Sequence, residues 1–124
     1  MRVRLLVGSL VAAVVCAGGV LAVNNNSAPK APPKTIKEVM KIAHKDGLHK
    51  KILAGGATDD EKKLLLDLYI DMLEGEPQKG DKAEWKMVAG AAAVSAAKVV
   101  LGREGAVDEL KKTSDCMACH SKFK

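Results

Sequence analysis

Aromatic side chains are nearly missing from this chain, which has one Trp, one Tyr and one Phe in 124 residues. Rings carry the largest apolar area per residue, so their scarcity excludes a core built on aromatic packing. It also removes the stacking platforms by which single-stranded nucleic acids are held. Cysteine is scarce as well, at three, and the odd count excludes a fold stapled wholly by intrachain disulfides. Proline occurs four times, at positions 29, 32, 33 and 77. The long proline-free stretches lack the period-two alternation of half-buried strands. Only one long uncharged apolar run exists, residues 5–23.

That run follows the basic start Met1-Arg2-Val3-Arg4 and ends in small or β-branched residues at Val20-Leu21-Ala22, the pattern of an export signal cut after Ala22. Two other fates stay open. About 18 apolar residues reach the length that crosses a bilayer, so the segment also suits an uncleaved membrane anchor. Cys16 offers a lipid anchor, although Val15 before it is bulkier than lipoprotein processing normally accepts. Residues 23–34, with three asparagines and three prolines, form a stiff polar linker. Residues 35–124 form the remaining domain. Loss of residues 1–22 leaves 102 residues in which 18 basic side chains face 15 acidic ones. A balance of +3 is too slight to argue for nucleic acid, and no Arg-aromatic surface supports one.

Within 35–124 the punctuation is helical. Helices are expected over 35–53, 58–73, 81–101 and 106–120. Thr58-Asp59-Asp60-Glu61 is a capping box, Asp81-Lys82-Ala83-Glu84 repeats its logic, and Thr35 follows two prolines as a first cap. Gly55-Gly56, Gly75 with Pro77, and Gly102 with Gly105 stop the first three helices. Short connections between helices of similar length make neighbours antiparallel, so the expected fold is all-α, an up-down-up-down four-helix bundle. Helix two is apolar on more than one face, through Leu64, Leu65, Leu66, Leu68, Tyr69, Ile70, Met72 and Leu73. Either it is buried widely or part of it is a homodimer surface. Helix three is mostly alanine and buries little area per residue, so the core is thin without a bulky apolar partner.

The last helix carries Cys116-Met117-Ala118-Cys119-His120. C-x-x-C-H is the attachment motif of a c-type haem. Two thiols one helical turn apart can each add to a vinyl group of one haem, and the adjacent histidine then reaches the iron. An export signal fits, because that attachment takes place outside the cytoplasm. Removal of residues 1–22 also takes Cys16 and leaves this pair alone. The rival is a thioredoxin-like C-x-x-C, which opens a helix after a strand. Here the pair lies at the far end of the last helix with no strand before it. A disulfide or a zinc half-site is the plainer alternative.

These residues resemble the cytochrome c prime family, four-helix proteins with their C-x-x-C-H on the last helix, together with that family's low-spin, methionine-ligated relatives. The tail from Cys116 through Ser121-Lys122-Phe123-Lys124 is similar to the family's ending. Trp85 opening an Ala-rich third helix, and Glu104-Gly105-Ala106-Val107 before the fourth, also fit. The resemblance spans about residues 35–124. It implies one haem c, with thioethers at Cys116 and Cys119 and with His120 as proximal iron ligand. In low-spin relatives a first-helix methionine followed by lysine ligates the iron, and Met40-Lys41 matches. Those relatives often carry an arginine one turn earlier, where this chain has Ile36.

Helical spacing alone leaves the distal side open. At about 100° per residue, Ile36, Met40, Ala43, His44 and Gly47 share a face, so Met40 and His44 are both candidate distal ligands. An empty or water-filled site is the third option. Ala43 and Gly47 would leave room for a flat ring, and His49 falls on the opposite, solvated side. Two functions follow as expectations. One is electron transfer between redox proteins in the periplasm, with lysines 111, 112, 122 and 124 near the haem edge. The other is binding of NO or CO at a vacant distal position. No acid, base or nucleophile set suggests an enzyme.

Overall fold

The computed structural model describes residues 31–124. The signal or anchor expected over 1–22, and most of the linker, lie outside the described residues. Among those residues every regular element is helical, so the fold is all-α. No helix among them is long and apolar enough to cross a membrane.

Four helices begin where side chains can satisfy their first amides. Thr35 starts α1 (Ile36–Val39), and its hydroxyl accepts from Glu38 N while the Glu38 carboxylate accepts from Thr35 N. Thr58 and Glu61 repeat this capping box at the start of α3 (Asp59–Glu74). Asp81 caps α4 (Lys82–Val100) through the amide of Glu84. Each cap contributes about 1 kcal/mol to its helix. Packing is densest between α3 and α4, then between α4 and α5 (Ala106–Thr113). Tyr69, Leu65, Leu68, Leu110 and Val39 lie fully buried at that junction of helices.

Two of the four expected helices are interrupted. The first is α1, then a π-helical turn (Met40–Lys45), then α2 (Leu48–Leu53) after a break at Gly47. Gly47 sits at φ +88°, a backbone state that favours glycine. The last is α5, a break at Ser114-Asp115, and then α6 (Cys116–Phe123). The sequence signal for that second break is the run Thr113-Ser114-Asp115, three cap-forming residues in a row. Asp115 starts α6 afresh, its carboxylate accepting from the amides of Met117 and Ala118 at 2.9 and 3.0 Å.

The far end of α6 is fastened by the scarce aromatics. Phe123 is buried and meets Trp85 edge to face, with ring centroids 5.2 Å apart. Trp85 in turn donates from Nε1 to the carbonyl of Gly75 at 3.2 Å, and Lys122 pairs with Glu84. Gly80 makes room for this contact: a Cβ there would lie 2.6 Å from Phe123 Cδ1, and its φ is +92°. Gly80→Ala is therefore expected to cost about 1–3 kcal/mol, from left-handed strain plus a displaced Phe123 ring. Urea denaturation read by Trp85 fluorescence checks this, and an unchanged midpoint would refute it.

Candidate haem-binding site

The break at Ser114-Asp115 aims the motif. Because α6 restarts at Cys116, the side chains of Cys116, Cys119 and His120 stand within one turn at its beginning. All three line a single cavity of about 550 Å³, within the range of small-molecule and cofactor pockets. Met40 and His44, from the π-helical turn, line the same cavity. The five residues singled out by the sequence thus meet around one space. Met72, Trp85, Val88, Ala89 and Ala92 supply apolar walls from α3 and α4. Lys37, Lys45 and Lys124 also line the cavity, as do the acidic Glu76 and Asp115.

Both thiols are free, Cys116 exposed and Cys119 half-buried. Burial raises the Cys119 thiol above its ordinary pKa, and the negative charges of Asp115 and of Cys116 as thiolate add to this. Among the described residues no three of His, Cys, Asp and Glu converge to hold a bare metal ion. A porphyrin brings four nitrogen ligands of its own and asks the chain for only one or two more. The donor set fits such a group better than it fits a naked ion.

The histidine expected at the surface instead packs behind the cavity lining, against Ser114 and His44. His49 is half-buried, its Nε2 lies 2.7 Å from Ser114 Oγ, and its ring sits 4.8 Å from that of His44. The cause is the geometry of the first helix. A π turn adds a residue per turn and Gly47 redirects the chain, so the regular 100° spacing places His49 wrongly. Ala43 departs too: it is fully buried in the core and does not line the cavity.

His44 is held by Tyr69. Tyr69 Oη lies 3.2 Å from His44 Nε2, and the two rings stack with centroids 5.9 Å apart. Burial drives the His44 pKa down to about 4, with further lowering from the charges of His49 and His120. Burial likewise lowers His49 and raises Tyr69. His44 is thus neutral at pH 7. Tyr69, Ser114 and His49 were not singled out as site residues by sequence, since their pairing depends on the two helix breaks.

The sign of the pH effect follows. Between about 4 and the ordinary 6.5 the unfolded chain binds a proton at residue 44 that the folded chain refuses. This contribution is full above pH 6.5 and is lost as pH falls toward 4. Urea midpoints across that interval should drop less in His44→Gln than in the parent. Parallel curves would remove the assignment.

Comparison with protein-family models, curated proteins and solved structures finds no match to this chain. The functional reading therefore rests on the motif and on the geometry of the cavity.

Proposed function

We propose that this chain is a monohaem c-type cytochrome, a periplasmic electron carrier built as an antiparallel up-down-up-down four-helix bundle. In that reading α1, the π turn and α2 count as one helix, and α5 with α6 as the last. One observation carries the proposal. Two free thiols and a histidine, at haem-attachment spacing, line one largely apolar cavity together with Met40 and His44.

Cys116 and Cys119 would hold the porphyrin by thioethers, and His120 would ligate its iron from the α6 side. Bound there, the haem supplies a reversible one-electron iron couple. Met40 is the better distal ligand, because the Nε2 of His44 is engaged by Tyr69. A thioether at that position favours reduced iron and raises the potential. Lys37, Lys45 and Lys124 are suited to the two propionates, filling the role left open by Ile36. With haem bound, the apolar walls of α3 and α4 would keep water from its faces and would limit movement of Met40 and His120 when the charge changes. Cys116 and Met117 are exposed, which leaves an approach for a redox partner on the attachment side. Lys112 on α5 lines a surface recess with Ala118 and Cys119 beside that approach, whereas Lys122 is already tied to Glu84.

The test is expression in a host that assembles c-type cytochromes, followed by mass spectrometry and absorption spectroscopy. A covalent haem adduct and a low-spin reduced spectrum indifferent to CO are expected. A chain lacking the added mass would refute the proposal. A high-spin spectrum that shifts with CO would keep the haem and replace the carrier role by gas binding.

A further inference from the structure

Asp71, in the last turns of α3, is a carboxylate only 4% exposed. Its Oδ2 accepts from the backbone amide of Lys34 at 3.0 Å. Its Oδ1 is buried and accepts from no group among the described residues. Burying a half-satisfied carboxylate is costly, and what that cost secures is the Lys34 bond.

The bond sits at the entrance to the domain. Pro32 and Pro33 have no amide hydrogen to give, so Lys34 supplies the first donor behind the linker prolines. Thr35 follows as the cap of α1. Gly75, one turn after Asp71, holds the same entrance at a second point. A Cβ on Gly75 would lie 3.0 Å from Ile36 Cγ1 and 3.3 Å from Ile36 Cδ1, so Ile36 seats on bare backbone. Gly75 also donates its amide to the Asp71 carbonyl at 3.0 Å and accepts from Trp85 Nε1. The end of α3 thus grips the start of α1 and, through Trp85 and Phe123, the end of α6.

This seat carries the distal side of the cavity. Helix α1 is four residues long and packs on α3. Met40 follows it directly, as the first residue of the π turn. The backbone of that turn packs chiefly against its flanks, α1 and α2, so the flanks set where it stands. Behind Met40 the segment is held by His44 on Tyr69 and by His49 on Ser114. Ahead of Met40 the bond from Lys34 to Asp71 does the same work, with the added strength of a charged acceptor.

We propose that Asp71 is the positioning residue of the distal side: its carboxylate clasps the Lys34 amide and so seats the segment that presents Met40 to the cavity. The role of Met40 as iron ligand rests on the function proposed above, whereas the seating of its segment does not.

Hydrogen–deuterium exchange and absorption spectroscopy test this on the full chain, matured in a host that assembles c-type cytochromes. Asp71→Leu removes the acceptor and keeps an apolar fill. Exchange across residues 34–45 should quicken about tenfold or more, while α4 and α5 keep the parent rate. In the haem-loaded protein the same variant should lose part of its methionine–iron charge-transfer band and bind CO in that fraction. Lys34→Pro removes the donor, leaves Asp71 in place, and should reproduce both effects even where the leucine variant fails to fold. Asp71→Asn keeps a carbonyl oxygen for the Lys34 amide and should restore the parent behaviour. Equal quickening in every helix would overturn the proposal, because Asp71 would then support the core in general. Parent-like exchange at 34–45 in Asp71→Leu would overturn it too, as would local opening with an intact methionine band. A parent that acquires no haem would refute the proposed function, and the exchange pattern would still decide the seating of the segment.

Discussion

Replacing Cys116 and Cys119 together by serine is expected to abolish covalent haem entirely, in a host where the parent acquires it. On the proposed reading the cavity would then lose the large flat group that its apolar walls would contact. The chain should keep its helices but unfold at lower denaturant. Its core includes only three rings, and only Trp85, Tyr69 and Phe123 could fill space in place of porphyrin. Anything that binds the folded state alone stabilises it by mass action, and a covalent adduct cannot dissociate. The single variants should separate the two sulfurs. Cys116 is exposed and Cys119 half-buried against the cavity, so Cys119→Ser should disturb haem orientation more. Acid extraction of haem from the gel-purified chain reads the covalent attachment, and Soret-band circular dichroism reads the orientation. A double variant that still retains haem through extraction would contradict the assignment.

Met40→Ala should change the protein from CO-indifferent to CO-binding in full proportion to its haem, with a lower reduction potential. The reason is local. Met40 lines the cavity from the π-helical turn, and His44 one turn away is tied to Tyr69. Deleting the thioether therefore leaves the distal position open rather than handing it to imidazole. His44→Ala, by contrast, should leave the low-spin spectrum intact while freeing the Tyr69 hydroxyl. A double variant, Met40→Ala with Tyr69→Phe, distinguishes the cases further. With the tyrosine hydroxyl gone, His44 is released to compete for the iron, and CO binding should weaken again. If instead Met40→Ala left the spectrum low-spin and His44→Ala did not, the distal assignment would pass to His44.

Much of the fold was legible because its signals are local. The capping box at Thr58-Glu61 and the cap at Asp81 act within four residues, and both helices start where the sequence places them. The glycine stops behave the same way. The convergence of Cys116, Cys119 and His120 with Met40 and His44 was also anticipated, since a motif and a helical face prescribe it. What escaped was every consequence of a helix changing its geometry partway. A π turn cannot be read from spacing that presupposes 100° per residue, so Ala43 and His49 were each assigned to the wrong surroundings. The interruption at Ser114-Asp115 was visible in residue type. It was outweighed by the continuous apolar pattern through Val107, Leu110 and Met117, the last of which proves to be 76% exposed. Alanine on α4 concealed a second point. Small residues suit a buried and an exposed helix face equally well, and only the exposures of Met87, Val94 and Leu101 tell the two sides apart.

The restart of the chain at Asp115 bears on how the protein matures. Of all the elements α6 is the most sparsely packed against its neighbours, held mainly by Phe123 in its aromatic socket and by the Lys122–Glu84 pair. If haem is attached as proposed, so sparse a hold would let the other helices assemble first and keep both sulfurs within reach until the aromatic socket closes on Phe123.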